Sequence, residues 1–404
     1  MDRLLETLEK ILEVNVPWKI DKIDVHHPTK SVNVFIDYER GTKFLCSDCG
    51  KECKIHDSSY RVWRHLDICD YRCYLNIKIP RVNCSEHGVK VISKHPFGRQ
   101  NSHYSFKFDK LIMNKVREMS VTAISTELAE PDNNLWRVIH HYISKAIDKI
   151  DCSKTTKIGV DEKSCKKGHN YVTIFTDLET SNVIYVIEGR DEATFAQFYE
   201  RLFVLTGDPN YIRLVSMDMS KSFISGHKTY FSHAELYFDR FHIKKALNKA
   251  VDDVRKQEVT SNSILKNTKY VFLKNENNLT PKQTILLSEF LKSSTLDTVK
   301  AYQAKIQFDL LWTIPNKAKE IMLEKWIEQA SILALKPIDK FIKMINNHKI
   351  GVLNSMKSSV TNAVSEGLNS VFQLVKARAR GFRNITNFMN LIYHLGNDFV
   401  YNFH

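Results

Sequence analysis

The sequence predicts a mixed α/β domain interrupted by a long helical stretch and preceded by two smaller modules, a metal-binding β domain and a helix-turn-helix. Three observations predict it. Apolar runs of strand length recur between Lys157 and Phe238 with helical patterns among them. Residues 241–349 then carry almost wholly helical patterning. Finally, six of the eight cysteines fall between Cys46 and Cys84, with Cys152 and Cys165 apart from them.

Composition sets the bounds. A chain of 404 residues, 43% hydrophobic and 26% charged, is globular and long enough for two to four domains, which excludes global disorder. No apolar run approaches the roughly 18–20 residues that cross a bilayer. Near the N-terminus, Leu4, Leu5, Leu8, Ile11 and Leu12 recur at helical spacing among Asp2, Glu6, Glu9 and Glu13, so this is an amphipathic helix and not a signal peptide. The net charge of +13 favours a polyanionic partner.

After the N-terminal helix and lead-in (1–30), residues 31–96 read as short strands: Val32, Val34 and Ile36 alternate, as do Tyr74, Ile77 and Ile79. Cys46-Ser47-Asp48-Cys49-Gly50 and Cys84-Ser85-Glu86-His87-Gly88 are two knuckles of one form. Paired knuckles deliver the four soft or borderline ligands of tetrahedral zinc, here Cys46, Cys49, Cys84 and His87, in a closed structural site; Cys53, Cys69 or Cys73 could replace one of them. Between the knuckles, Arg61 and Arg64 flank Trp63, basic residues interleaved with an aromatic as phosphate contacts and base stacking require, although Trp63 itself reads as a core residue.

Residues 97–152 read as helices over Phe108–Arg117, Thr122–Glu130 and Leu135–Ile150, with a break at Pro131–Asn134, the cadence of a helix-turn-helix. Arg137, His140, His141 and Lys145 share one face of the last helix, the candidate recognition helix.

The α/β domain begins at residue 153, and its first part runs to 242. Asp161 follows Ile158-Gly159-Val160, Asp218 follows Leu214-Val215-Ser216-Met217, and Asp239 follows Leu236-Tyr237-Phe238. A carboxylate at the end of a buried strand must be paired, hydrogen-bonded or bound to a cation, and several at one sheet edge repel one another unless a divalent metal neutralises them. Pro281, Pro315 and Pro337 divide the helical stretch at 243–350, with Trp312 and Trp326 as core candidates. In the last part, 351–404, a helix is expected from about Val360 to Ala379, with Gly381 as its stop. Glu366 and Asn369 share a face of it, and Lys376, Arg378, Arg380 and Arg383 follow.

Taken together, the knuckles, Arg61-x-Trp63-Arg64-x-Leu66-Asp67, Ile158-Gly159-Val160-Asp161-Glu162 with Lys167-Gly168-His169-x-Tyr171, Glu188-Gly189-Arg190, Ser216-Met217-Asp218-Met219-Ser220, Asp239-Arg240-Phe241-His242, and Glu366-Gly367-Leu368-Asn369 through Asn384 resemble the ISL-three family of bacterial insertion-sequence transposases, of the DDE type, over nearly the whole length. The resemblance implies a ribonuclease-H-like catalytic domain with a large all-α insertion, and a catalytic triad of Asp161, Asp218 and Glu366. The triad would hold two Mg²⁺ (or Mn²⁺) ions, Asp161 bridging them and Asp218 and Glu366 each holding one. Asp239 and His242 match an auxiliary motif, and with Asn369 and Lys376 they are expected to support the site. Many such enzymes place Lys or Arg seven residues after the glutamate; here that residue is Gln373, which leaves Lys376 as first candidate for the scissile end.

The expected partners are double-stranded DNA at terminal inverted repeats and target, and a second copy of the chain or more. Arg61, Arg64, Arg137, His141, Lys145, Arg378, Arg380 and Arg383 are the expected DNA contacts, and the bacterial cytoplasm, on DNA, is the expected location. Two other functions use the same residues differently: a zinc-ribbon and helix-turn-helix regulator without catalysis, and a structure-specific nuclease on the same platform.

Overall fold

The computed structural model describes residues 2–92, 95–165, 171–292, 295–358, 373–375 and 384–404. The chain divides into two compact units, Met1–Ala146 with Phe399–His404, and Ile147–Asp398.

The first unit opens with α1 (Asp2–Leu12), followed by β1 (Trp18–His26), β2 (Ser31–Tyr38), β3 (Phe44–Leu45), β4 (Glu52–Arg64), β5 (Arg72–Cys84) and β6 (Gly88–Val91). These strands form one sheet in the order β1-β2-β5-β4-β3, with β6 also on β5. Two features depart from the sequence reading. β1 lies within the expected lead-in, and β4 and β5 are long strands of 13 residues each. Alternation along β2 and β5 places Val34, Ile36, Cys73, Leu75 and Ile77 in the core and leaves the intervening residues more exposed.

Three helices follow, α2 (Phe106–Val116), α3 (Val121–Leu128) and α4 (Asp132–Ile147). α4 starts earlier than expected, directly after Pro131, so the break between α3 and α4 is only three residues long. Ser105 Oγ accepts from the Phe108 amide and caps α2, and the same oxygen lies 2.8 Å from His65 Nδ1.

Burial first, then the charges of Lys107 and Arg64, push the His65 imidazole down to about 4. An unfolded histidine titrates near ~6.5. The unfolded chain therefore takes up the proton first, and the stabilisation held by neutral His65, complete above about pH 6.5, is lost as pH falls towards 4. Between pH 7 and 4.5 the wild-type protein should lose about 2 kcal/mol more stability than His65→Gln. Urea denaturation of both proteins at both pH values checks this, because proton uptake elsewhere is common to the pair; equal losses would refute it.

The second unit is built on β7 (Lys157–Ser164), β8 (Tyr171–Asp177), β9 (Val183–Glu188), β10 (Leu214–Met217) and β11 (Glu235–Phe238), in the order β11-β10-β7-β8-β9. β7, β8 and β9 are antiparallel neighbours, whereas β10 runs parallel to β7 and β11 parallel to β10. Parallel neighbours need crossovers, and α5 (Glu192–Thr206) and α6 (Lys221–Tyr230) supply them. Aromatic residues of α5 pack on β8: Phe175 stacks on Phe198 at 4.1 Å and meets Phe195 edge-on at 5.5 Å.

From α7 (Arg240–Val259) the chain is helical: α8 (Lys269–Leu273), α9 (Pro281–Leu291), α10 (Asp297–Leu310), α11 (Asn316–Ile332), α12 (Lys336–Asn347) and α13 (Lys349–Lys357). Pro281 and Pro337 sit in the first turns of α9 and α12 and Pro315 caps α11, as expected of residues without an amide donor. Trp326 is buried and donates to the Ala304 carbonyl at 2.8 Å. Trp312 is only half-buried, with the Arg240 guanidinium 4.6 Å from its ring.

Both edges of the second sheet are covered. At the β9 edge lies α14 (Ile385–Leu395), a helix absent from the sequence reading; the Val186 amide donates to Tyr393 Oη at 2.7 Å, and Asn397 Nδ2 donates to the Val183 carbonyl. At the β11 edge, the Phe238 amide donates to Ser355 Oγ at 2.7 Å and Asn354 Nδ2 donates to the Leu236 carbonyl. α13 comes this close because Gly351 has no side chain: a Cβ there would stand 2.5 Å from the Phe238 ring. These bonds satisfy edge groups that would otherwise pair with another strand. No helix among the described residues is long and apolar enough to cross a membrane.

Candidate functional site

In the first unit, Cys46, Cys49, Cys84 and His87 converge with all four ligand atoms within 4.8 Å of one another. Cys49 Sγ and Cys84 Sγ are 3.7 Å apart, Cys84 Sγ and His87 Nδ1 3.6 Å, and Cys46 Sγ and His87 Nδ1 3.9 Å. Thiolates and an imidazole around tetrahedral zinc stand roughly 3.5–3.8 Å apart, so the donor set fits that ion. Each knuckle turns through a glycine in the left-handed region, Gly50 at φ 72° and Gly88 at φ 68°. The amides of Glu86 and His87, and then the His87 side chain, hold the Cys84 thiol down to about 6, which favours the thiolate a metal needs. Two of the three substitute ligands are placed elsewhere, and the third, Cys53, lies beside Cys84 without joining the four. Cys73 is fully buried opposite Val32, with burial driving its thiol up to about 12, and Cys69 is exposed.

Arg64 corrects an expectation. It is 3% exposed, pairs with Asp67, lies 3.5 Å from Glu130 and sits over the Phe108 and Tyr74 rings. A cation enclosed in this way ties the sheet to the helices and has no free face for phosphate. Arg61 is half-buried and donates to the Gln100 carbonyl, while Trp63 is buried as the core reading required. On α4, Arg137 and Lys145 are exposed. His141 is half-buried, and burial, then Arg99 and Lys145, hold it down to about 4, so it is neutral at pH 7.

In the second unit, register gathers the acids. Val160 pairs with Met217 and Met217 with Phe238 across three adjacent parallel strands. One residue further on stand Asp161, Asp218 and Asp239; Asp218 and Asp239 lie just past their strands as expected, whereas Asp161 is inside β7, which continues to Ser164 because β8 still pairs with it. Asp161 is held by Lys163 Nζ at 2.5 Å. Asp218 Oδ1 accepts from the Met219 amide at 2.6 Å and lies 3.2 Å from His242 Nδ1. Asp239 caps α7 by accepting from the Phe241 amide at 2.8 Å.

Burial would raise the Asp218 carboxyl, but the hydrogen bond and charge of His242 outweigh it and hold the group below the usual carboxylate range. Burial opposes the charged form of His242 as well, yet the bond to Asp218 and the charges of Asp218, Asp239 and Asp161 raise it. Asp239 and Glu162 are raised mainly by burial, with Asp161 and Asp218 repelling each of them. The surplus of negative charge at one sheet edge is the electrostatic condition that a divalent cation relieves.

Lys163 was not singled out by sequence reasoning, although its signal was present: two residues beyond Asp161 on a strand is the same face. Glu366, Asn369, Lys376, Arg378, Arg380 and Arg383 lie outside the described residues.

Comparison with known proteins decides what this arrangement belongs to. Residues 158–392 match the DDE family of ISL3 type described as transposase, more than half of the chain. The chain belongs to the ISL3 family of transposases. Residues 42–87 of this transposase match the zinc-finger of transposase IS204/IS1001/IS1096/IS1165, the segment that contains all four converging ligands. The transposase for insertion sequence element IS1001 of Bordetella parapertussis is 23% identical to it over 351 residues, covering 84% of this chain and 86% of the relative. The transposase for insertion sequence element IS1557 from two strains of Mycobacterium tuberculosis is 22% identical over 376 residues, covering 84% and 82%. The transposase is thus a DNA-processing protein with a zinc ribbon at its N-terminal end and a DDE domain behind it.

Proposed function

We propose that the second unit is a ribonuclease-H-like catalytic domain with Asp161, Asp218 and Glu366 as its triad. It would cut the ends of an insertion sequence and join the freed 3′-hydroxyl to target DNA. The observation that carries this reading is the register that sets Asp161, within β7, beside Asp218 and Asp239, just past the ends of the parallel strands β10 and β11. The strand order β11-β10-β7-β8-β9 supports the fold assignment, and residues 243–350 are then the insertion between the last strand and the glutamate.

Asp161, Asp218 and Glu366 would hold the Mg²⁺ ions. Bound there, a pair of such ions supplies positive charge to the entering and leaving oxygens of an in-line displacement. The chain's own residues prepare the site: His242 keeps Asp218 ionised and fixes its orientation, Lys163 holds Asp161, and Asp239 secures the start of α7. Terminal repeats would be read by the first unit through Arg61 on the ribbon and Arg137, His141 and Lys145 on α4, with His141 serving as a neutral hydrogen-bonding group. Joining two ends in concert calls for a dimer or larger assembly on DNA.

The test is a labelled terminal-repeat duplex incubated with the purified protein and Mg²⁺. A nick that leaves a 3′-hydroxyl at the element end, followed by joining of that strand to a target duplex, is the expected result. Nicking without joining would favour a nuclease, and binding without nicking a regulator.

A further inference from the structure

α7 begins at the carboxylates and leads away from them. His242 reaches Asp218, and Lys245 on the next turn adds its charge to those holding the Asp218 carboxyl down. Lys245, Lys249 and Lys256 are exposed further along. From residue 242 to 256 the helix rises about 21 Å, the length of roughly six base pairs of duplex. A groove opens between α7 and α12, rimmed by Lys249 and Lys256 on one helix and Lys336 and Lys340 on the other, with Asp253 as the acid on this rim. Among the described residues Lys249, Lys336 and Lys340 form no ion pair, whereas Lys256 holds Asp252 at 2.9 Å. The rim thus carries uncompensated positive charge over a floor that includes Ala250 and Phe341.

Such a floor offers a small polar ligand nothing to bond, so recognition falls to the lysines. Lysines on flexible stems are point charges suited to a phosphate backbone and indifferent to bases. Resting on the catalytic reading above, we infer that the row from Lys245 through Lys249 to the α7–α12 groove is a track for the backbone of duplex DNA as it leaves the scissile phosphate.

The test compares full-length Lys249→Glu/Lys340→Glu with Lys317→Glu/Lys325→Glu, which makes the same change in charge at exposed positions of α11 outside the groove. Each protein is bound, without divalent metal, to a terminal-repeat duplex extended by flanking DNA, and is read by hydroxyl-radical footprint and by the dependence of affinity on salt. The groove variant should lose protection over about six base pairs beside the cleavage point and keep protection inside the repeat. Its slope of log affinity against log salt should fall by about 2, and that of Lys336→Gln by about 1. The α11 variant should match wild type. Equal losses in both double variants, an unchanged footprint, or binding that is lost only for an acidic protein competitor would overturn the track. Because binding needs no chemistry, a wild-type protein that never nicks while its footprint responds to Lys249 would remove the catalytic reading alone. A protein that nicks while its footprint ignores the groove would remove the track alone.

Discussion

Asp218→Asn is expected to lower nicking of a terminal-repeat duplex in Mg²⁺ by about 10³-fold or more, the equivalent of roughly 4 kcal/mol of transition-state stabilisation. The substitution keeps size and shape while removing the charge that His242 is arranged to maintain. Folding should survive, since Asn can still accept from the Met219 amide that now donates to Asp218. Repeat binding should survive too, because the proposed readers are in the first unit. Asp161→Asn should act the same way, and the two together should be little worse than either alone, as residues of one site are not additive. Nicking by Asp218→Asn within tenfold of wild type, with thermal unfolding and DNA affinity unchanged, would remove Asp218 from the reaction centre.

The second large effect concerns zinc. Cys46 and Cys49 precede β4, Cys84 ends β5, and His87 stands before β6, so the metal would join the chain segments at one end of the long strands. Structural zinc contributes on the order of 10 kcal/mol in small domains, comparable to the whole stability of a domain. Chelation, or Cys84→Ser, should therefore abolish the unfolding transition of the first unit and reduce repeat affinity at least ~100-fold, as a loss of ~3 kcal/mol or more requires. The purified protein should contain one zinc per chain. Cys73→Ser should retain that zinc, because Cys73 lies within the sheet between β2 and β4 and not in the ligand group. Full zinc content in Cys84→Ser, or its loss in Cys73→Ser, would contradict the ligand set.

The part of the site legible in the sequence was the part encoded over short distances. Val160-Asp161, Met217-Asp218 and Phe238-Asp239 announce themselves because an apolar run that ends in an acid is a local pattern. Cys46-x2-Cys49 and Cys84-x2-His87 are equally local. Arg64 was misread because most of what encloses it is remote: Asp67 is near in sequence, but Glu130 and the Phe108 ring come from segments far along the chain, and nothing beside Trp63 signals that the guanidinium turns inward. α14 went unseen since Gly381 reads as a stop and its 11 residues form a short pattern, even though Asn384 caps its first turn.

Sequence alone determined which residue types could perform the chemistry and how they are spaced along the chain, because ligand spacing, strand length and the position of an acid after a strand are properties of consecutive residues. Tertiary structure decided which of them meet. The parallel register of β7, β10 and β11 aligns three carboxylates, the sheet separates Cys73 from the zinc ligands, and Lys163 and His242 become the partners of Asp161 and Asp218. The reason is that register and burial arise from packing between segments far apart in the chain, and side-chain charge and ligand geometry follow from those contacts.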